Sequence, residues 1–341
     1  MCTSSYRSGD FSMLHGAQVS LATLVAESYE SLAALRLQTS RLEKTCELYD
    51  LALTTRRDEA KEAGSDQADV MMSYLLSDTA HVLCLQERYS EAKAITLEML
   101  RIRRVVCRFD NKPLIAEALV QLASISMSLG EFDPALLFLE EALHIRKECF
   151  SGSSVQVADI YHNMAQVLAE ADDLSQAQGF LNTALRVHRH RLRQQQNKPV
   201  RSTSAPLPSS SAGPDDSEEI ARTFVELGML HFRRDDFSAA VPFFEDALRM
   251  SLRLGGLDNP HVPPVLLKLA FAAKKLGDLS DARQRYEQAI AILTSLHKKV
   301  NGVHMDVATA VSSLSSLCFY QGRFQEALDF SQKVLRVRKA L

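Results

Sequence analysis

The stretch Leu122-Ala123-Ser124-Ile125-Ser126-Met127-Ser128-Leu129-Gly130-Glu131-Phe132-Asp133-Pro134-Ala135, closed by Glu141-Ala142-Leu143, decides the fold, because its pattern returns along the whole chain. The small residue after Leu122 recurs as Ala80, Ala123, Ala165, Gly228, Ala270 and Ser315, with a weaker first copy at Ala33; the successive intervals are 47, 43, 42, 63, 42 and 45 residues. Twelve residues after it stands Ala92, Ala135, Ala177, Ala240, Ala282 or Ala327, and nineteen after it Ala52, Ala142, Ala184, Ala247 or Ala289. Between them sits a large residue: Leu42, Tyr89, Phe132, Leu174, Phe237, Leu279 or Phe324. Self-similarity at a nearly fixed spacing is the mark of a repeat array.

Each copy reads as a helical hairpin. Small residues let two antiparallel helices approach closely, and the large residue nine positions on fills the wedge beside the turn. Gly130, Gly277 and Gly322 mark the turn, with Glu87, Asp172 and Asp235 at the equivalent place. Glycine suits a helix C-terminus because it reaches positive φ without a clash. The second helix then opens on a capping side chain, Ser90, Asp133, Ser175, Ser238 or Ser280. Pro134 follows Asp133, where a first-turn proline costs no hydrogen bond.

The pattern resembles the tetratricopeptide repeat, in seven copies over about residues 25–341, the first degenerate. The common period of that repeat is about 34; the longer period here resembles the repeats of kinesin light chains and nephrocystin-like proteins. That likeness is sharpest in Ala142-Leu143-His144-Ile145-Arg146-Lys147, in Val157-Ala158-Asp159, in His162-Asn163-Met164-Ala165 and in Leu254-Gly255-Gly256-Leu257-Asp258-Asn259-Pro260-His261-Val262. The resemblance implies an all-α fold, a right-handed α-α superhelix of about seven hairpins. Kinesin light chains precede their repeats with a heptad coiled coil, whereas only about 25 residues precede the first repeat here, without sustained heptads. The lysine–asparagine clamp of chaperone-tail-binding relatives is also missing, with Val120 and Ser124 at the matching places.

The 63-residue interval exceeds its neighbours by 21 residues, and the excess maps to Gln194–Asp216. Four of the ten prolines fall there, Pro199, Pro206, Pro208 and Pro214, among serines and few large apolar residues. Such a segment cannot bury enough surface to offset its ordering entropy. The expected organisation is a polar tail over 1–24, repeats one to four over 25–193, a disordered Ser/Pro-rich loop over 194–216 and repeats five to seven over 217–341. Within the loop, Arg201 lies three residues before Ser204 and Pro206 two after it. That order resembles the phosphoserine motif read by 14-3-3 proteins, so Ser204 is a candidate phosphorylation site and 14-3-3 proteins candidate partners.

Composition removes other classes. The 341 residues carry 39 Lys and Arg against 42 Asp and Glu, a net charge of −3, which excludes a globally basic nucleic-acid binder. Six widely separated cysteines, Cys2, Cys46, Cys84, Cys107, Cys149 and Cys318, show neither metal-ligand nor redox spacing. No apolar run reaches a bilayer span and no secretory signal opens the chain, so the expected address is cytoplasmic. The ten histidines form no His-Glu-x-x-His or zinc pattern. No phosphate-cradling glycine loop or nucleophile elbow occurs. No catalytic, cofactor or metal residues are therefore nominated. His188 and His190, in the basic run Arg186–Arg193, read as complementing a helix dipole. Arg56, Arg103, Arg146, Arg189, Arg253 and Arg338 read the same way, with aliphatic stems covering neighbouring repeats.

The remaining candidate is the groove lined by first helices, which is where such solenoids bind. Helical spacing places on that face Glu27, Glu30, Glu117, Gln121, Asp159, His162, Asn163, Gln166 and Glu170 in repeats one, three and four. In repeats five and six it places Arg222, Glu226, Arg233, Lys268, Lys274 and Lys275, interleaved with Phe232 and Phe271. The earlier stretch is acidic to polar and the later one mostly basic with aromatics; a merely solvated face is the alternative. The expected function is a non-enzymatic adaptor or scaffold that binds partner peptides. Two alternatives stand beside it: a kinesin light chain-like cargo subunit of a microtubule motor, and a repeat-based regulator or enzyme. Val334, Leu335 and Val337 on the last helix point to self-association through the C-terminal hairpin.

Overall fold

The computed structural model describes residues 42–63, 66–106, 112–150, 152, 154–196, 217–298 and 305–340, together with Val25, Ala26 and Tyr29. Ser204, Glu27 and Glu30 lie outside the described residues. The chain divides into two units, Met1–Cys149 and Phe150–Leu341. Among the described residues both are helical, without strands.

The first unit contains α1 (Leu42–Ala63), α2 (Asp66–Leu85), α3 (Tyr89–Val106), α4 (Lys112–Ser128) and α5 (Phe132–Cys149). Helices α2 and α3 form one hairpin and α4 and α5 the next, with α1 against α2 and α3 against α4. The second unit holds four hairpins: α6 (Val155–Glu170) with α7 (Leu174–Gln196), α8 (Glu218–Arg233) with α9 (Phe237–Gly255), α10 (Val262–Leu276) with α11 (Leu279–Lys298), and α12 (Met305–Tyr320) with α13 (Phe324–Ala340). Each second helix packs on the first helix of the following hairpin. This is the tetratricopeptide-type solenoid that the repeat implied.

The small residues stand where the helices cross. Ala80, Ala123, Ala165 and Ala270 are buried, as are Ala92, Ala135, Ala177, Ala240 and Ala282, and Ala142, Ala184, Ala247 and Ala289. Gly228 has the closest crossing: a Cβ there would come within 2.8 Å of two ring atoms of Phe244. Every predicted turn position has positive φ, the non-glycines Glu87 (60°), Asp172 (64°) and Asp235 (55°) included. Short polar Asp tolerates this region better than most side chains, whereas Glu87 carries more of its cost. The turns close by bonds such as Glu131 N to Ser126 O at 2.8 Å and Asp173 N to Leu168 O at 2.8 Å, pairing carbonyls that the helix end leaves over.

The caps sit two residues earlier than the serines expected to supply them. Asp173, Asp236 and Asp278 accept the backbone N–H of Gln176, Ala239 and Asp281 at 3.0–3.1 Å. Ser175, Ser238 and Ser280 instead donate to those carboxylates at 3.0, 2.9 and 2.8 Å. An ionised carboxylate at a helix N-terminus accepts stronger bonds than a hydroxyl and meets the positive end of the dipole. The same bonds hold the three aspartates below the usual carboxylate range.

Candidate functional site

In the second unit the first helices α6, α8, α10 and α12 lie side by side, and their polar side chains reach across to one another. Every sequence-predicted site residue except Gln121 and Ser204 lies on these helices. Gln121 belongs to the first unit, where its amide meets Ser77 Oγ at 3.3 Å. On α6, Gln166 is exposed, Asn163 half-buried and His162 only 4% exposed. His162 is therefore a packing residue: Nδ1 meets Glu226 Oε2 at 2.5 Å and Nε2 meets Thr223 Oγ1 at 3.2 Å, both from α8.

The expected basic stretch divides into two parts. Arg222 lies 3.3 Å from Asp159 and 3.8 Å from Glu226. Arg233 donates to the Ala169 carbonyl at 2.6 Å and pairs with Glu170. Both arginines of α8 are thus committed to α6. The three lysines of α10 pair with no carboxylate among the described residues. Lys268 Nζ touches Met229 Sδ at 3.2 Å, and burial holds its ammonium below the usual lysine range. Lys275 Nζ lies 5.5 Å from the Phe271 ring centroid and 5.8 Å from that of Phe237. Lys274 donates to Ser316 Oγ at 2.9 Å and stands 5.9 Å from the Tyr320 ring.

Around these cations the aromatic rings run in series. Phe232 packs at 5.3 Å on Phe237, 5.0 Å on Phe244 and 5.9 Å on Phe271. Phe271 is 40% exposed, and Phe319 and Tyr320 on α12 are 65% and 70% exposed. Residues 319 and 320 were not among the sequence candidates. They stand four and five positions after Ser315, so the spacing rule used for repeats five and six finds them when carried into repeat seven. The arrangement presents ammonium groups beside open aromatic faces, which suits a carboxylate next to an aromatic or leucine side chain.

Two polar positions depart from their expected roles. Arg103 is 1% exposed, head group included. It donates to the Leu114 carbonyl at 2.8 Å and approaches Glu117 to 3.7 Å, tying α3 to the first turns of α4. The arginine at this repeat position therefore joins hairpins with its guanidinium, beyond covering them with its stem. His188 is 2% exposed and lies in the interior of α7, two turns before the helix ends. Its ring centroid stands 5.7 Å from that of His162, and its Nε2 has no hydrogen-bond partner. Burial, then the neighbouring His162, pulls its pKa down to about 4. It is neutral at pH 7 and adds no charge to the helix terminus.

A histidine that ionises at an ordinary pKa only when unfolded favours unfolding in acid. His188 should thus cost the second unit stability as pH falls from about 6.5 toward 4, by up to about 3 kcal/mol, with no further loss below. Glu219, Asp159 and Arg222 also act on it, so charge screening will reduce this figure. Denaturant midpoints at pH 7 and pH 5 test the point. The shift should shrink in His188→Leu; an unchanged shift would remove His188 as its source.

Among the described residues, no group of three or more His, Cys, Asp or Glu is arranged to hold a metal ion. No described helix is long and apolar enough to cross a membrane.

Comparison with known proteins agrees with this architecture. Tetratricopeptide-repeat models match residues 114–190, 219–295 and 307–341, together more than half the chain. Protein kinesin light chain-related 3 of Arabidopsis thaliana is 21% identical over 310 residues, covering 84% of this chain and 47% of that protein. Kinesin light chain-related 1 of the same plant is also 21% identical, over 80% of this chain and 48% of its own. The chain thus spans about half the length of the curated relatives it matches. Among solved structures, BtubC (BKLC) from P. vanneervenii superposes with a TM-score of 0.58 at 22% identity, over 74% of this chain and 91% of that one. A putative kinesin light chain of Podosopora anserina gives 0.51 at 15% identity, over 67% and 97%. With its hairpins, turns and crossings matching at every level, the chain belongs to the tetratricopeptide-repeat family and is kinesin light chain-like in its long period.

Proposed function

We propose that the chain is a non-enzymatic interaction scaffold whose second unit grips peptide segments of partner proteins along α8, α10 and α12. One observation carries this reading: three lysines without a carboxylate partner among the described residues, set among exposed aromatic rings. The segment that fits is extended or helical and carries acidic residues beside an aromatic or leucine. Arg222 and Arg233 are engaged with α6, so they position α8 and leave recognition to α10 and α12.

The test is affinity purification with quantitative mass spectrometry, comparing wild type with Phe271→Ala/Lys274→Glu/Lys275→Glu. Arg233 is left intact because Arg233→Glu would face Glu170 and the Ala169 carbonyl. The expected result is loss of specific partners at least tenfold with unfolding behaviour nearly unchanged, since exposed substitutions cost little stability. Retention of every partner by the triple variant rules out this face. A second reading, a motor-cargo adaptor, draws on the kinesin light chain-related relatives. It requires a kinesin heavy chain among the proteins recovered with wild type.

A further inference from the structure

The last described hairpin, α12 with α13, lacks the side chain that wedges the other hairpins of this unit open to their proper width. Sixteen positions after each small residue stands a large buried one: Leu181 at 2% exposed, Phe244 at 0% and Tyr286 at 2%. In the last hairpin that place is Ser331, which is exposed and shares a 2.8 Å hydrogen bond with Ser315, the small residue itself. A cavity of about 650 Å³ opens there, lined by Ser312, Ser315, Ser316, Phe319, Phe324 and Leu328 among others. Phe324 is 62% exposed and Leu328 51%, although the equivalent Phe237 and Leu279 are half-buried.

Charge on the same helix points to what enters. Arg338 and Lys339 hold the repeat positions of Arg103 and Arg104. Arg103 is satisfied by the Leu114 carbonyl and Glu117 of the next first helix, and Arg104 by Glu141 at 2.6 Å on the next second helix. Arg338 and Lys339 are exposed and form no ion pair among the described residues. Beyond Asp329, α13 carries Lys333, Arg336, Arg338 and Lys339 and no acidic residue. The outer face thus combines a vacant side-chain pocket with a surplus of positive charge that, at the Arg103 junction, meets an acidic helix.

We infer that this face docks an amphipathic helix of a partner protein, one that inserts a large apolar or aromatic side chain between α12 and α13 and offers an acidic residue from its first turns to Arg338. The internal junctions show the geometry such a helix would follow, lying on the hairpin as α4 lies on α3. Serine hydroxyls on the pocket floor favour a ring with a polar tip, tyrosine above phenylalanine.

The experiment is selection of a displayed library of 18-residue alanine-based helical peptides, one face randomised, on the full chain. The expected winners carry Asp or Glu in the first two turns and Tyr, Phe or Leu about two turns later. Their binding should fall at least tenfold on Arg338→Glu and on Ser331→Tyr, which refills the pocket with the residue found at 286, and stay unchanged on Lys275→Glu. Arg338→Glu is exposed and keeps the test valid should Ser331→Tyr disturb the hairpin. Recovery of no peptide, winners indifferent to both substitutions, or winners lost on Lys275→Glu would overturn the inference. So would light scattering that shows a dimer dissolved by Ser331→Tyr, since a second copy would then be the occupant.

Discussion

Ala135→Glu should lower the stability of the first unit by about 3 kcal/mol or more. Ala135 is fully buried on α5, as is Ala142 two turns on, and Ala123 on α4 is 1% exposed. A glutamate there would push the two helices apart and carry an uncompensated carboxylate into an apolar crossing, one of the few mechanisms that give effects this large. Thermal unfolding followed by far-ultraviolet circular dichroism reads it directly, because the chain has no tryptophan for fluorescence. Ala135→Ser is the control and should cost far less. A melting profile of Ala135→Glu that matches wild type would mean that the hairpin register is wrong.

Phe244→Ala should have a comparable effect on the second unit, about 3–5 kcal/mol, as removal of a fully buried aromatic generally does. Its pairing with Gly228 makes the prediction sharper. In the wild-type background Gly228→Ala drives a methyl to within 2.8 Å of a ring that has no room to retreat, and overpacking of this kind costs about 1–3 kcal/mol. Once the ring is gone, the same substitution only occupies vacated space, and alanine is favoured over glycine within a helix by about 1 kcal/mol. Gly228→Ala should therefore destabilise wild type and stabilise Phe244→Ala. Chemical denaturation of the four proteins forms a double-mutant cycle. The same sign in both backgrounds would break the proposed contact.

The hairpins, their turns and their crossings were legible in the sequence because each is set by a local requirement repeated many times. A close crossing demands a small residue, and Ala92, Ala135, Ala177, Ala240 and Ala282 answer it at one spacing. A sharp turn demands positive φ, which Gly130 and Asp172 both supply. The caps were misplaced by two residues for a local reason too: Asp and Ser stand together at each turn, and spacing alone does not say which side chain faces the amide. Asp173 and its equivalents take that role because a carboxylate accepts the stronger bond.

The candidate site was only half legible. Spacing put Arg222, Arg233, Lys268, Lys274 and Lys275 on one face, but charge on a face depends on what the neighbouring hairpin sets against it. Asp159 and Glu170 lie 63 residues from Arg222 and Arg233 in sequence, and only the stacking of α8 on α6 neutralises the pair and leaves recognition to the lysines of α10. His162 and His188 followed the same rule: each looks like an ordinary polar position on its own helix, and both are buried because two hairpins close over them. The sequence by itself determined which residues form each hairpin, since those demands act within one repeat. Which charges remain unpaired, which histidines lose their protons and which face stays open were decided between repeats, where only the packed structure sets the distances and the dielectric.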